Sequence, residues 1–87
     1  MLGLAANDLI KVLREYKQSD AGRPITLSEG NWTISEGGYD RWFDIYYNHN
    51  HCPVADCIAG EVSVYGFSDK NNAMIKEIIL IILDYLK

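Results

Sequence analysis

Ile25-Thr26-Leu27-Ser28 and Trp32-Thr33-Ile34-Ser35 each alternate apolar with polar side chains, and Glu29-Gly30-Asn31 separates the two runs. A period of two is the pattern of a strand with one buried face, and a helix would scatter the same residues around its circumference. A glycine step between two such runs turns the chain back on itself, so the pair reads as an antiparallel hairpin. The chain is thereby committed to a sheet whose apolar side needs cover.

The following segments extend the sheet. Glu36-Gly37-Gly38 reads as a second turn. Arg41–Tyr47 reads as a third strand, with Phe43, Ile45 and Tyr47 on one face and Trp42, Asp44 and Tyr46 on the other. Asn48–Asp56 reads as a polar loop containing Pro53. Cys57–Phe67 holds an expected fourth strand with Val62 and Val64 inward, Gly60 marking a bulge and Gly66 the strand end. Short turns make neighbouring strands antiparallel, a meander.

Helical periodicity brackets this region. Leu9, Val12, Leu13 and Tyr16 share one face of a helix expected over residues 7–17, with Asn7 as N-cap and Asp8 in the first turn. Ser68-Asp69-Lys70 opens a second helix expected to run from Asn71 to Leu86. Its apolar residues cover more than the stripe of about 100° that packing on a sheet requires. Part of that excess, with Ile79 and Ile82 as contacts, is expected either to touch both the sheet and the first helix or to form a homodimer. The order is α-β-β-β-β-α. The expected fold is an α+β two-layer sandwich, with two helices on one face of an antiparallel meander sheet and the other face open.

With 87 residues the chain is expected to be one domain, residues 1–87. The longest apolar run, Ile78–Leu83, falls far short of the roughly 20 residues of a membrane span, so no membrane partner is expected. Met1–Ala6 has no basic segment followed by a long apolar one, which gives the expectation of a cytoplasmic protein. Cys52 and Cys57 are then expected to be reduced thiols, with one disulfide across the short loop as the alternative in an oxidising compartment.

Charge is unevenly placed. The formal net charge is −4, yet from Pro24 to Asp69 seven acids face only Arg41, a local charge of −6. Each flanking segment is slightly basic. Eight of the ten aromatic residues lie in the same acidic region. Exposed Trp and Tyr beside carboxylates are the composition of a binding surface. Such a surface repels phosphates and attracts basic proteins.

Other chemistry is thinly represented. His49, His51, Cys52 and Cys57 are ligand types that could close a tetrahedral zinc site, but no C-x₂-C pair is present and His51 adjoins Cys52. No cofactor is expected. A Cys52 nucleophile activated by His49 or His51 would sit in an acidic field that disfavours thiolate, and no acid/base carboxylate pair or phosphate-binding loop is evident. A binding protein is expected rather than an enzyme.

Two layouts bear comparison. The order resembles that of the double-stranded-RNA-binding domain, with Ser68-Asp69-Lys70 where that family opens its last helix. Asp69-Lys70-Asn71-Asn72 lacks the family's basic cluster, so direct nucleic-acid binding is not expected. In size, charge and layout, with Asn7-Asp8-Leu9-Ile10-Lys11 opening the first helix, the chain is similar to small acidic inhibitors encoded by phages and mobile elements, some anti-CRISPR proteins among them. That resemblance implies a stoichiometric inhibitor that mimics nucleic-acid charge and blocks the basic surface of a nucleic-acid-binding enzyme. Glu29, Glu36, Asp40, Asp44 and Glu61 would be the mimic, and Trp42 or Tyr46 an anchor. The alternatives are a subunit that self-associates through the last helix, and a zinc-stabilised domain built on residues 49–57.

Overall fold

Seven elements form, in a computed structural model that describes residues 6–19, 23–38, 42–48 and 51–85. They are α1 (Ala6–Gln18), β1 (Pro24–Glu29), β2 (Trp32–Gly37), β3 (Phe43–Tyr47), β4 (Ala55–Ile58), β5 (Glu61–Val64) and α2 (Asp69–Ile82). The strands lie in the order β1-β2-β3-β4-β5 and every neighbouring pair is antiparallel. The architecture is an α+β sandwich with a meander sheet and both helices on one face, as the periodicities require.

One strand more is present than the alternation suggested. The expected fourth strand is a hairpin, β4–β5, folded at Ala59-Gly60. Both turn residues have positive φ, 54° and 85°. That is the requirement of a type I′ turn, which Asn-Gly or Asp-Gly normally announces. Alanine in the left-handed region carries a steric cost of about 1–2 kcal/mol, which is why its presence hid the turn. Gly60 is therefore a turn residue, not a bulge, and β4 begins inside the stretch taken for a polar loop. The first hairpin is more conventional: Glu29 pairs with Trp32 across Gly30-Asn31, and Gly30 has φ 56°. A Cβ at Gly30 would lie 2.2 Å from Asp8 Oδ2, so a side chain there would also have to displace Asp8.

The register fixes the two sheet faces. Leu27, Ile34, Ile45, Ala55 and Val64 form one row of cross-strand partners toward the helices. Leu9, Val12, Leu13 and Tyr16 of α1, Ile75 and Ile79 of α2 and its C-cap Leu83 close over that face in one buried cluster. Each such apolar side chain contributes roughly 1.5–3 kcal/mol on burial. Trp32, Tyr47 and Phe67 stack at one end of the layer, with ring centroids 4.7 to 6.0 Å apart. Asn72 clamps Phe67 there: its Oδ1 accepts from the Phe67 N–H at 2.9 Å, and its Nδ2 donates to the Phe67 carbonyl at 3.1 Å.

Helix ends depart from the sequence expectation at two points. Asn7 lies inside α1 rather than capping it. α2 is capped by Ser68, whose Oγ accepts from the Asn71 N–H at 3.3 Å. It stops at Ile82, four residues before the expected end. Asp84 takes φ 62°, the Asp84 N–H donates to the Ile81 carbonyl and the Tyr85 N–H to the Leu80 carbonyl, a Schellman closure with aspartate where glycine is usual.

Candidate functional site

Among the described residues no element covers the second sheet face. Period-two alternation sends the in-between residues of every strand there. One continuous row crosses all five strands: Thr26, Ser35, Asp44, Asp56 and Ser63 are successive cross-strand partners. Ser28, Thr33 and Tyr46 form a second row, and the Ser28 and Thr33 hydroxyls are 3.0 Å apart. Ile58 pairs with Glu61 at the opposite end. Trp42, Ile58 and Tyr65 are each about half exposed, at 48%, 50% and 50%.

Asp44 and Asp56 sit directly opposite each other on β3 and β4. Like charges in that relation repel. Partial burial, and then the Asp56 carboxylate, push the Asp44 carboxyl up from the ordinary aspartate value. The Tyr65 hydroxyl donates to Asp56 Oδ2 at 3.1 Å. Burial and that hydrogen bond push the Tyr65 hydroxyl up to about 12, so it remains a donor at neutral pH. The centre of the open face is thus a carboxylate pair, flanked by hydroxyls and bordered by aromatic and aliphatic side chains.

The residues expected to form the acidic surface do not all lie here. Asp44, Tyr46 and Glu61 are on the open face, and Trp42, just before β3, stands exposed beside it. Glu36 is not: it is 2% exposed, lies on the helix side with Trp32 and Ile34, and accepts a hydrogen bond from the Tyr16 hydroxyl at 2.5 Å. Glu29 is also on the helix side, beside α1, where the Lys11 ammonium approaches its carboxylate at 3.3 Å. A hydrogen bond from Glu15 and the Lys11 charge lower its pKa, and the Glu15 carboxyl is raised correspondingly. Asp40 lies outside the described residues. Strand parity carries these corrections, because Glu36 is two residues from Ile34 and Glu29 two from Leu27. Asp56, Ile58 and Tyr65 join the face instead; the parity of Asp56 and Ile58 becomes readable only with the hairpin at Ala59-Gly60, whereas that of Tyr65 already follows from an inward Val64.

The remaining candidates separate too. Ile79, expected as a dimer contact, is fully buried in the core, and Ile82 is partly buried against it. The large exposed apolar side chains of α2 are Met74 and Ile81, the latter 56% exposed. Of the four zinc-type residues, His49 lies outside the described residues. His51 and Cys52 are exposed while Cys57 packs into the core, and both thiols are unbridged. Among the described residues no three His, Cys, Asp or Glu side chains are grouped to hold a metal ion. Among the described residues, His51, Cys52 and Cys57 therefore form no common centre. No helix among the described residues is long and apolar enough to cross a membrane.

Comparison of the chain with protein-family models, with curated proteins and with solved structures finds no match.

Proposed function

We propose that this chain is a protein-binding module whose open sheet face docks on a basic surface of a partner, acting as a stoichiometric inhibitor where that surface binds nucleic acid. The observation that supports the reading most is the juxtaposition of the Asp44–Asp56 pair with half-exposed Trp42 and Tyr65 on a face that no helix among the described residues covers. Aromatic anchors supply buried area in a complex, and carboxylates supply orientation and a fast encounter with a cationic partner. The test is affinity capture from native host lysate with the wild-type chain and with Asp44→Lys/Asp56→Lys. A specific partner should be retained by the wild type at low salt, weakened as screening rises, and lost by the variant at unchanged melting temperature. Retention of the same partner by the variant would remove the open face as the site.

Self-association through α2 is the second reading, supported by the exposure of Ile81 and Met74 on the outer side of that helix. Sedimentation over a range of concentrations tests it: a dimer dispersed by Ile81→Lys supports it, and a monomer throughout ends it.

A further inference from the structure

The open face is indented. Ser35 and Gly37 of β2, Trp42 and Asp44 at and after the entry to β3, and Ile58 of β4 border a cleft of about 230 Å³. Pockets for small-molecule ligands usually run to roughly 300–1,000 Å³, so this one has the scale of a single long side chain. Gly37 borders open space: a Cβ there would meet no heavy atom within 4 Å, and no positive φ is required of it.

The lining is selective in its chemistry. One border is the half-exposed Trp42 side chain, whose indole face attracts cations. Another is the Asp44 carboxylate, with Asp56 directly across the strand boundary, a like-charge pair that an incoming cation would relieve. The Ser35 hydroxyl, the cross-strand neighbour of Asp44, adds an acceptor. Ile58 offers apolar surface to an aliphatic stem.

The geometry points to this cleft as the anchor site for one arginine side chain of a basic protein partner, its guanidinium placed between the Trp42 ring and the Asp44 carboxylate. It rests on the reading of the open face as a docking surface and names the group recognised there. Arginine fits better than lysine because the planar guanidinium stacks on an aromatic face while donating in a fork to a carboxylate. An ammonium can do only the second, as a more strongly hydrated point charge.

The test is titration of the ¹⁵N-labelled full chain with the blocked tripeptide Gly-Arg-Gly and with its citrulline and lysine counterparts. The buried Trp32 indole serves as internal reference. The arginine peptide should give saturable shifts at the Trp42 indole and at the amides of Ser35, Gly37 and Asp44. Citrulline, of the same shape without charge, should bind at least about tenfold more weakly, and lysine should also be weaker. Gly37→Val, which adds bulk at the cleft border from an unstrained position, should weaken the shifts and leave the melting temperature unchanged. No saturable response, an equal response to citrulline or lysine, or a full response in Gly37→Val would each overturn the assignment. Partner capture separates this from the broader reading: a Gly37→Val chain that still captures the partner, while Asp44→Lys/Asp56→Lys does not, retains the open face and rejects the arginine cleft.

Discussion

The two faces of the sheet are built from the same five strands and differ in almost every other respect. Toward the helices, Ile34, Ile45, Ala55 and Cys57 are essentially inaccessible, and the charged side chain among them, Glu36, is met by the Tyr16 hydroxyl. Toward solvent, Asp44 and Asp56 are set against each other. The closed face satisfies its polar group; on the open face the Tyr65 hydroxyl meets Asp56, yet Asp44 and Asp56 still repel each other. A burial cost is met by a partner within the chain in the first case. In the second the unfavourable arrangement persists on the surface, as it does where a protein keeps groups for an external partner.

The contrast is broken most severely by placing charge on each side of α2. Ile79→Lys puts an uncompensated ammonium among core side chains and should leave the chain unfolded at 25 °C. Ile81→Lys, two residues on, should change stability by no more than about 0.5 kcal/mol in urea denaturation. Similar losses from both would mean that the outer side of α2 is also core.

The next effect concerns the buried hydrogen bond. Tyr16→Phe withdraws the hydroxyl from Glu36 and should cost about 1–3 kcal/mol at pH 7. Burial first, then the Glu36 bond, raise the Tyr16 pKa above the ordinary tyrosine value. The folded state therefore holds this proton more tightly than the unfolded state. The associated stability is fully present below about pH 10 and is lost as pH rises above it. Urea midpoints between pH 8 and 11 should fall for the wild type and fall less for Tyr16→Phe.

The smallest effect has the opposite sign. Asp44→Asn removes one member of the repelling pair and should stabilise the chain by about 0.2–1 kcal/mol at pH 7. Because the folded-state Asp44 pKa is raised, the cost of its charge appears as pH climbs past the ordinary aspartate value. The gain should thus be present at pH 7 and vanish as pH falls toward 3, where Asp44 itself is protonated. Destabilisation by Asp44→Asn at pH 7 would show that the open-face carboxylate serves the fold.

Much of this contrast was legible in the sequence. The spacing of Leu9, Val12, Leu13 and Tyr16 names the buried side of α1, and the alternation through Phe43, Ile45 and Tyr47 names the closed side of β3. What escaped has local causes. Ala59 adopts a left-handed conformation that its chemistry does not announce, so the β4–β5 hairpin was read as one strand. Asp84 does the same at the end of α2. Glu36 and Glu29 were assigned to the acidic surface by charge, although their parity with Ile34 and Leu27 placed them inward. Excess hydrophobicity on α2 could not distinguish Ile79 in the core from Ile81 in solvent, because neither neighbouring layer was yet positioned.

The central claim is that the open sheet face, and not α2, meets the partner. Chemical-shift mapping of the ¹⁵N-labelled chain with the captured partner tests it most directly. The account predicts perturbation of the Trp42 indole and of the amides of Asp44, Tyr46, Asp56 and Tyr65, with Met74 and Ile81 unmoved. Shifts concentrated on Met74 and Ile81, with the carboxylate row unchanged, would contradict it.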